Sequence, residues 1–367
     1  MARVLIVTAL IAGAGGCIVP APALSAGPSR AFFGMQGWTV PSARDFAMMT
    51  RGRVGTLRVL VDGPVGAAPD SARWAPYDAM MTGAARERIN VLPVLLGTPG
   101  RGHRFKYPRT RRERMAWGDF VGAIAGRYGR GGTFWRAHPE LPSVPLTAYQ
   151  VWNEPNLPVY WRPTVNAAAY LRLVRLTRTR LRAVDPHASI VLAGLPDSRL
   201  GMPMLDYVRA IYAQPGARSL FDVVALHPYA ADAPQVLGKV NRVRALMNRR
   251  GDRTTPIWIT EIGWSTGGPP SPFRTTRAGQ AARVTRMLRT LIADAPRLHL
   301  RRIVFVTLQD RAYLPDEKPW WGPSVGMFDR AGSPKPAWSA FVRFTGGLPA
   351  GRLPRAATWV PALPADP

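Results

Sequence analysis

Short apolar runs alternate with longer amphipathic stretches along almost the whole chain. Eight of these runs have the length and the β-branched composition of buried strands. They are Phe32–Gly37, Thr56–Asp62, Asn90–Leu96, Leu146–Trp152, Ile190–Gly194, Val223–His227, Ile257–Glu261 and Ile303–Leu308. Their near-continuous apolar character predicts strands buried on both faces, as in a parallel sheet that helices cover.

The stretches between these strands repeat apolar residues at helical spacing, most clearly over 169–184, 236–247 and 277–294. Their arginines lie mostly on the opposite, polar side. Eight strand–helix units in roughly 310 residues predict an α/β fold, a single-domain (β/α)8 TIM barrel over residues 30–345. A doubly wound open sheet is the alternative, but no Gly-x-Gly-x-x-Gly motif follows the first strand to support dinucleotide binding.

The two ends of the chain differ from the predicted barrel. Residues 1–26 resemble a secretory signal peptide, because Arg3 precedes a short apolar run that small residues follow. That run is shorter than the ~20 residues that span a bilayer, and we expect a secreted protein with no later transmembrane segment. Lipid attachment at Cys17 is the alternative. Residues 346–367 are rich in Pro and Ala and predict a C-terminal tail without its own core.

The composition excludes several classes of protein. Of the 367 residues, 47% are hydrophobic and 19% are charged, which predicts a large core rather than disorder. A single cysteine excludes a disulfide scaffold and a structural zinc site. The net charge is +27, and only four of the 49 basic residues are lysines, a ratio typical of a G+C-rich genome. Attraction to an anionic glycan or a cell-envelope polymer is the other interpretation. No motif suggests a nucleic-acid partner.

Two of the six glutamates end apolar strands. Glu154 follows the fourth predicted strand, and Glu261 ends the seventh. In a TIM barrel the carboxyl ends of the strands carry the chemistry. A carboxylate beside an apolar strand is costly unless it faces a cleft or a cation, although a structural role for both is the alternative. Glycoside hydrolysis requires such a pair, with one carboxyl protonated and the other ionised at the same pH.

Other side chains near strand ends are candidates for binding. Asn153 can donate a hydrogen bond to a sugar hydroxyl, and Arg58 can keep a nearby carboxylate ionised. His227 ends the sixth strand, where a binding role competes with that of a buried structural histidine. Trp161 and Trp264 can stack on the apolar faces of sugars, although either ring can equally be a packing residue.

The segment Trp152-Asn153-Glu154-Pro155, taken together with Glu261, resembles the retaining glycoside hydrolases of clan A. The chain is most similar to the family 39 and family 5 type, especially secreted bacterial members. The resemblance covers roughly residues 32–344 and includes 326–329 and 334–338, which are similar to the closing segment of such barrels. It implies that Glu154 is the acid/base and Glu261 the nucleophile. It also implies that Arg58, His227 and Tyr229 line the sugar-binding subsite.

One departure from that pattern concerns the substrate. These enzymes often carry a tryptophan on strand eight beneath the sugar, whereas residues 303–310 of this chain contain none. Two replacements are open: Phe305 can face inward, or Trp320 and Trp321 can fold back from the following loop. The sequence therefore does not predict which sugar is bound, or whether cleavage is endo or exo.

A basic run over residues 101–114 contains six arginines, Lys106 and His103. We interpret it as a solvated loop after the third strand, with a rim for an anionic substrate as the alternative. No cofactor is expected. No His/Asp/Glu cluster has metal-ligand spacing, and no Gly-x-Ser-x-Gly motif suggests acyl transfer.

Two functions remain open from the sequence. The first is a retaining glycosidase that cleaves a polysaccharide or oligosaccharide by double displacement, with its carboxyl groups ~5–5.5 Å apart. The second is a non-catalytic carbohydrate-binding TIM barrel of the cell envelope, which the intact pair of glutamates disfavours. The oligomeric state is not predicted.

Overall fold

A computed structural model describes residues 27–61, 74–97, 106–315 and 317–349 of the chain. The predicted signal segment, most of the predicted tail and residues 101–105 of the basic run lie outside the described residues. The sequence predictions for these parts therefore stay predictions.

One sheet of nine parallel strands forms the centre of the fold. The strands are β1 (Phe33–Gln36), β2 (Thr56–Val61), β3 (Asn90–Leu95), β4 (Ala148–Val151), β5 (Ser189–Val191), β6 (Leu195–Pro196), β7 (Val224–His227), β8 (Ile257–Ile262) and β9 (Leu300–Val306). Their order in the sheet is β5-β4-β3-β2-β1-β9-β8-β7-β6. The first strand pairs with both the second and the last, so the sheet curls round as the barrel prediction requires.

The fifth predicted strand is divided into β5 and β6 at residues 192–194. The first piece pairs with β4 and the second with β7. A bridge between Val191 and Val223 and the hydrogen bond from Leu192 N to Val223 O, 3.0 Å, join the two sides. The nine strands are therefore the eight strands of a closed (β/α)8 barrel.

Nine helices accompany the sheet in the described part of the chain. They are α1 (Ala43–Arg51), α2 (Ala75–Arg86), α3 (Arg111–Tyr128), α4 (Thr133–Ala137), α5 (Ala167–Val184), α6 (Met204–Tyr212), α7 (Ala233–Arg249), α8 (Arg277–Leu298) and α9 (Pro336–Thr345). All three helical stretches predicted from apolar spacing are present, as parts of α5, α7 and α8. None of the helices in these ranges is long and apolar enough to cross a membrane.

The prediction of a loop that extends to Arg114 is wrong in its last part, because α3 begins at Arg111. Thr110 and Glu113 form a capping box there: Glu113 N donates to Thr110 Oγ1 at 3.1 Å, and Thr110 N donates to Glu113 Oε2 at 2.8 Å. These bonds satisfy backbone N–H groups that the first helical turn leaves unpaired. Because the run is rich in basic residues, its sequence pattern did not predict that a helix begins at Arg111.

The core has an outer and an inner part. The outer and larger cluster lies between the sheet and the helices. The inner cluster consists of residues from separate strands: Leu92, Ala148, Val191, Val223, Ala225 and Trp258. Polar side chains occupy the barrel toward the carboxyl ends of the strands, and five of them are almost fully buried: Gln36, Arg58, Gln150, His227 and Thr260. Apolar side chains therefore fill the rest of the barrel interior, and these five polar side chains lie on the side where the parallel strands end. We call these five residues the polar floor.

Candidate active site

The turn after β4 places Asn153 and Glu154 on the same side of the sheet. Trp152 (φ 70°) and Glu154 (φ 45°) both have left-handed backbone conformations, which non-glycine residues rarely adopt. Such strain persists where surrounding contacts impose it, and it is common at functional sites. Because the turn ends the alternation of the strand, the side chains of these consecutive residues both reach groups in the barrel mouth.

Arg58 on β2 makes hydrogen bonds to several polar side chains at this end of the barrel, and its own side chain is fully buried. Its Nε donates to Gln150 Oε1 and its Nη2 to Asn153 Oδ1, each at 2.8 Å. Its Nη1 donates to Gln36 and, at 2.5 Å, to Glu261 Oε1. A guanidinium has five N–H donors and stays charged, so Arg58 can hold four acceptors while it remains a cation.

Glu261 lies on β8, where the register against β9 shifts between Ile259 and Ile262. Such irregularities re-aim side chains, and here both Thr260 and Glu261 reach the site. Glu261 Oε2 accepts a hydrogen bond of 2.9 Å from the hydroxyl of Tyr229. Burial raises the pKa of the Glu261 carboxyl, but His227, Arg58 and Tyr229 together outweigh it and hold that pKa below its usual range.

Glu154 has the opposite electrostatic surroundings. Its Oε1 lies 2.8 Å from His227 Nδ1, and the residue is 9% exposed. Burial raises the pKa of the Glu154 carboxyl, the negative charge of Glu261 adds to this, and contact with His227 opposes it without reversing it. The two carboxyl groups thus differ in the way that acid/base catalysis by a carboxylate pair requires.

The two glutamates also lie at close range. One oxygen from each of Glu154 and Glu261 and one nitrogen of His227 lie within 4.8 Å of one another. Three such donors could also hold a cation. However, the charge of Arg58 and the hydroxyl of Tyr229 already occupy Glu261. A second cation would repel that guanidinium, so we interpret the cluster as a carboxylate pair rather than a metal centre.

Comparisons with known proteins agree with this geometry. The family model of the "glycosyl hydrolase catalytic core" matches residues 118–293, which include both glutamates. This match covers 176 of the 367 residues, just under half of the chain. A β-xylosidase of Geobacillus stearothermophilus is 26% identical over 197 residues, which are 47% of this chain and 35% of that protein. The chain thus matches about a third of the length of this curated relative.

Solved glycosidase structures share the fold of this chain. A glucosidase from Croceicoccus marinus has a TM-score of 0.65 and 14% identity, over 87% of this chain and 68% of that one. A monomeric β-xylosidase from Caulobacter crescentus CB15 has a TM-score of 0.61 and 18% identity, over 86% and 68%. The predicted (β/α)8 TIM barrel is confirmed at the level of the fold.

The structure buries both residues that the sequence offered as sugar-stacking rings. Trp161 is 0% exposed, and its ring stacks on Tyr107 at 4.2 Å between centroids. Trp264 is also 0% exposed, and its Nε1 donates to Ala230 O at 2.8 Å. Neither ring offers a face to a sugar in this structure, so of the two alternatives the packing role applies. The spacing of aromatic residues in sequence could not show this, because the covering side chains come from other loops.

The loop after β9 brings a different aromatic ring to the site. Trp321 packs against Tyr229 at 5.1 Å between centroids and against Phe273 at 5.0 Å. Phe305 instead contacts Phe341 of α9 on the outside of the sheet, at 5.5 Å. Of the two candidates to replace a strand-eight tryptophan, the structure therefore favours Trp321 from the folded-back loop.

Hydrogen bonds fix the same loop. Arg311 binds Glu317 through two bonds of 2.6 Å, and Trp320 Nε1 donates to Glu317 Oε1 at 2.6 Å. The Arg311 bonds are the largest influence that lowers the pKa of Glu317, to about 2. Bidentate pairing gives geometric specificity, so Trp320 and Trp321 extend from a fixed loop.

Three residues of the polar floor were not predicted from the sequence: Gln36, Gln150 and Thr260. Each is a polar residue near the end of an otherwise apolar strand. Gln150 lies four residues before Glu154, and Thr260 directly precedes Glu261. The signal was therefore present in the strand pattern, although only the structure shows which of these side chains meet.

Proposed function

We propose that this chain is a retaining glycoside hydrolase that cleaves O-glycosidic bonds by double displacement. The observation that carries the proposal is the close approach of Glu154 and Glu261, whose pKa values shift in opposite directions. Retaining enzymes need carboxyl groups ~5–5.5 Å apart, whereas inverting enzymes leave room for a water at ~6.5–9.5 Å. One oxygen of Glu154 lies within 4.8 Å of one oxygen of Glu261, and this close approach favours the retaining class over the wider inverting spacing.

In the first step, an ionised oxygen of Glu261 attacks the anomeric carbon. The bond from that carbon to the leaving oxygen breaks, and Glu154 transfers its proton to that oxygen. Arg58 and Tyr229 hold the nucleophile in place by bonds to its two oxygens. The positive charge of Arg58 favours the ionised state that attack requires.

In the second step, Glu154 is a carboxylate and removes a proton from water. The water oxygen bonds to the anomeric carbon, the ester bond to Glu261 breaks, and both carboxyl groups return to their starting states. Asn153 Oδ1 accepts a hydrogen bond from Arg58 Nη2, which leaves the amide N–H groups of Asn153 for a sugar hydroxyl.

The substrate in this proposal is a carbohydrate that rests against Trp321. This ring lies beside Tyr229, which itself binds Glu261. Aromatic faces bind the apolar faces of sugars. The relatives described above are a β-xylosidase and a glucosidase, which makes aryl β-xylosides and β-glucosides the first compounds to test.

The test is turnover on a panel of aryl glycosides and polysaccharides, with the anomeric configuration of the first product read by NMR. We expect hydrolysis with retained configuration and no turnover by Glu261→Ala. An inverted product would overturn the retaining assignment. Binding of glycans without turnover by the wild-type protein would instead favour the non-catalytic carbohydrate-binding barrel.

The signal-like N-terminus supports the further proposal that the protein is secreted. Sequencing the N-terminus of the protein recovered from the medium tests it, and cleavage after Ala23 or Ala26 is expected. Membrane-bound protein that Cys17→Ser releases would instead favour lipid attachment. An anionic glycan remains a proposed partner on the ground of the +27 net charge.

A further inference from the structure

A chain of hydrogen bonds crosses the floor of the barrel from Arg58 to Glu154. Along it, Arg58 Nε contacts Gln150 Oε1 at 2.8 Å, and Gln150 Nε2 contacts Thr260 Oγ1 at 3.2 Å. Thr260 Oγ1 lies 3.1 Å from His227 Nε2, and His227 Nδ1 lies 2.8 Å from Glu154 Oε1. Four strands, β2, β4, β8 and β7, supply the first four members of this chain.

The direction of the first two bonds follows from donor chemistry. A guanidinium can only donate, so the amide oxygen of Gln150 faces Arg58 and its nitrogen faces Thr260. The carbonyl oxygen of Leu192 provides a second, independent reason, because it lies 3.2 Å from the same Gln150 nitrogen and can only accept. Thr260 Oγ1 therefore accepts a hydrogen bond from Gln150.

The direction of the remaining bonds follows from the single proton of the Thr260 hydroxyl group. Because Thr260 Oγ1 already accepts from Gln150, its own proton is available for His227 Nε2. If His227 Nε2 carried a proton instead, the hydroxyl of Thr260 would need another acceptor. The residues that the structure describes offer it no other hydrogen-bond partner.

We propose that Gln150 and Thr260 are positioning residues that keep the proton of the neutral form of His227 on Nδ1, and so direct the acidic proton of Glu154 to Oε2. This inference rests on the proposed function for its catalytic meaning. With a proton on Nδ1, His227 donates to Glu154 Oε1, and that oxygen must accept. A protonated Glu154 then carries its hydrogen on Oε2, the oxygen left for the substrate.

The opposite tautomer would have a different effect. A lone pair on His227 Nδ1 would attract the acidic proton of Glu154 to Oε1, into the wall of the barrel and away from a leaving group. The charged and titratable groups around this contact are Arg58 on β2, Glu261 on β8 and Tyr229 after β7. They influence the protonation of Glu154, but none of them binds His227 Nε2 in the described part of the chain.

The first test reads the tautomer directly and does not depend on activity. Long-range ¹H–¹⁵N NMR of the full chain, with the His227 signals assigned from His227→Asn, distinguishes the two ring nitrogens. We expect the neutral form of the ring to carry its proton on Nδ1. A neutral form protonated on Nε2 would overturn the proposal.

Variants test the role of the chain itself. Thr260→Val removes the hydroxyl at nearly constant volume and should give a mixture of tautomers, whereas Thr260→Ser should keep the wild-type state. Thr177→Val is the matched control, because Thr177 is also fully buried and hydrogen-bonded but lies on α5. In Gln150→Glu, the carboxylate should accept a hydrogen bond from the Thr260 hydroxyl. Thr260 Oγ1 should then accept from His227 Nε2–H, so the direction of these hydrogen bonds is reversed. A wild-type tautomer in both Thr260→Val and Gln150→Glu would contradict the mechanism.

Kinetics then separate a misplaced proton from general damage. With an alkyl glycoside, kcat/KM of Thr260→Val should fall on the order of 10-fold, because proton donation to the leaving group limits this step. With a dinitrophenyl glycoside, which needs no acid, kcat/KM should stay within about twofold. An equal loss on both substrates would mean a merely structural role. If the wild-type protein hydrolyses no glycoside, the proposed function fails, and the NMR result still decides the tautomer.

Discussion

Arg58 and Glu261 are 203 residues apart in sequence, yet Arg58 Nη1 lies 2.5 Å from Glu261 Oε1. The arginine side chain is fully buried, and that of the glutamate is 13% exposed. A buried carboxylate without a partner would be costly, so this ion pair stabilises the ionised form of Glu261. The same pair also connects Glu261, through Arg58, to the buried polar side chains that lead to Glu154.

Removal of the charge of Arg58 should move the acidic limb of the pH–kcat/KM profile to higher pH. Without Arg58 the pKa of Glu261 rises, so the nucleophile becomes protonated at a higher pH. Arg58→Met should also lower kcat/KM at neutral pH on the order of 100-fold. Arg58→Lys keeps the positive charge but loses the several N–H donors of the guanidinium. Its acidic limb should therefore lie between those of the wild type and Arg58→Met. An unchanged acidic limb in Arg58→Met would contradict the role of Arg58.

Azide rescue should assign the two glutamates independently of any resemblance. In Glu261→Ala, azide can occupy the emptied space and attack the anomeric carbon, which gives a glycosyl azide of inverted configuration. In Glu154→Ala, the nucleophile remains and azide replaces water in the second step, which gives retained configuration. The measurement is NMR of the azide products from a dinitrophenyl glycoside. The reverse stereochemistry would exchange the two roles.

Glu154→Gln should make the protein more stable at neutral pH. Burial raises the folded-state pKa of Glu154 above its unfolded value. The stability from this group is therefore fully present below the unfolded pKa and is lost as pH rises through the folded pKa. The neutral variant avoids that loss, so its Tm at pH 7 should exceed that of the wild type by roughly 2–4 °C. The difference should vanish below about pH 4, where Glu154 is protonated in both states.

Gly194→Ala should damage both stability and activity. A Cβ atom at this position would overlap Nε2 and two ring carbons of His227, which is itself fully buried. Overpacking of this kind costs typically 1–3 kcal/mol of unfolding free energy, and here it displaces the ring that binds Glu154. Gly122→Ala is the control, because a Cβ there meets nothing within 4 Å and the position lies inside α3. That variant should be neutral or more stable by about 0.5–1 kcal/mol.

Trp321→Ala should raise KM by roughly 5-fold if this ring carries the sugar, since one aromatic–sugar contact contributes on the order of 1 kcal/mol. Trp321→Phe keeps an aromatic face and should lose less. Steady-state kinetics on the best aryl glycoside measure both variants. Equal KM values for the wild type and Trp321→Ala would contradict the platform role.

The residue pattern alone predicted the strands and placed both glutamates at strand ends. Runs such as Ile257–Glu261 are apolar on both faces, and only a buried parallel strand accommodates that pattern. Because parallel strands end on one side of the barrel, the placement of Glu154 and Glu261 at strand ends already predicted that they face each other. Their separation within 4.8 Å agrees with that prediction. These inferences need only local patterns and one topological rule.

Only the tertiary structure decided which side chains meet and which are covered. Gln150 and Thr260 are 110 residues apart, and the register of separate strands brings them together. Trp161 had the same appearance in sequence as a sugar-stacking ring, but Tyr107 from another loop covers it. Trp321 reaches the site because Arg311 and Glu317 fix its loop. Contacts of this kind depend on long-range packing, which local hydrophobic spacing does not encode.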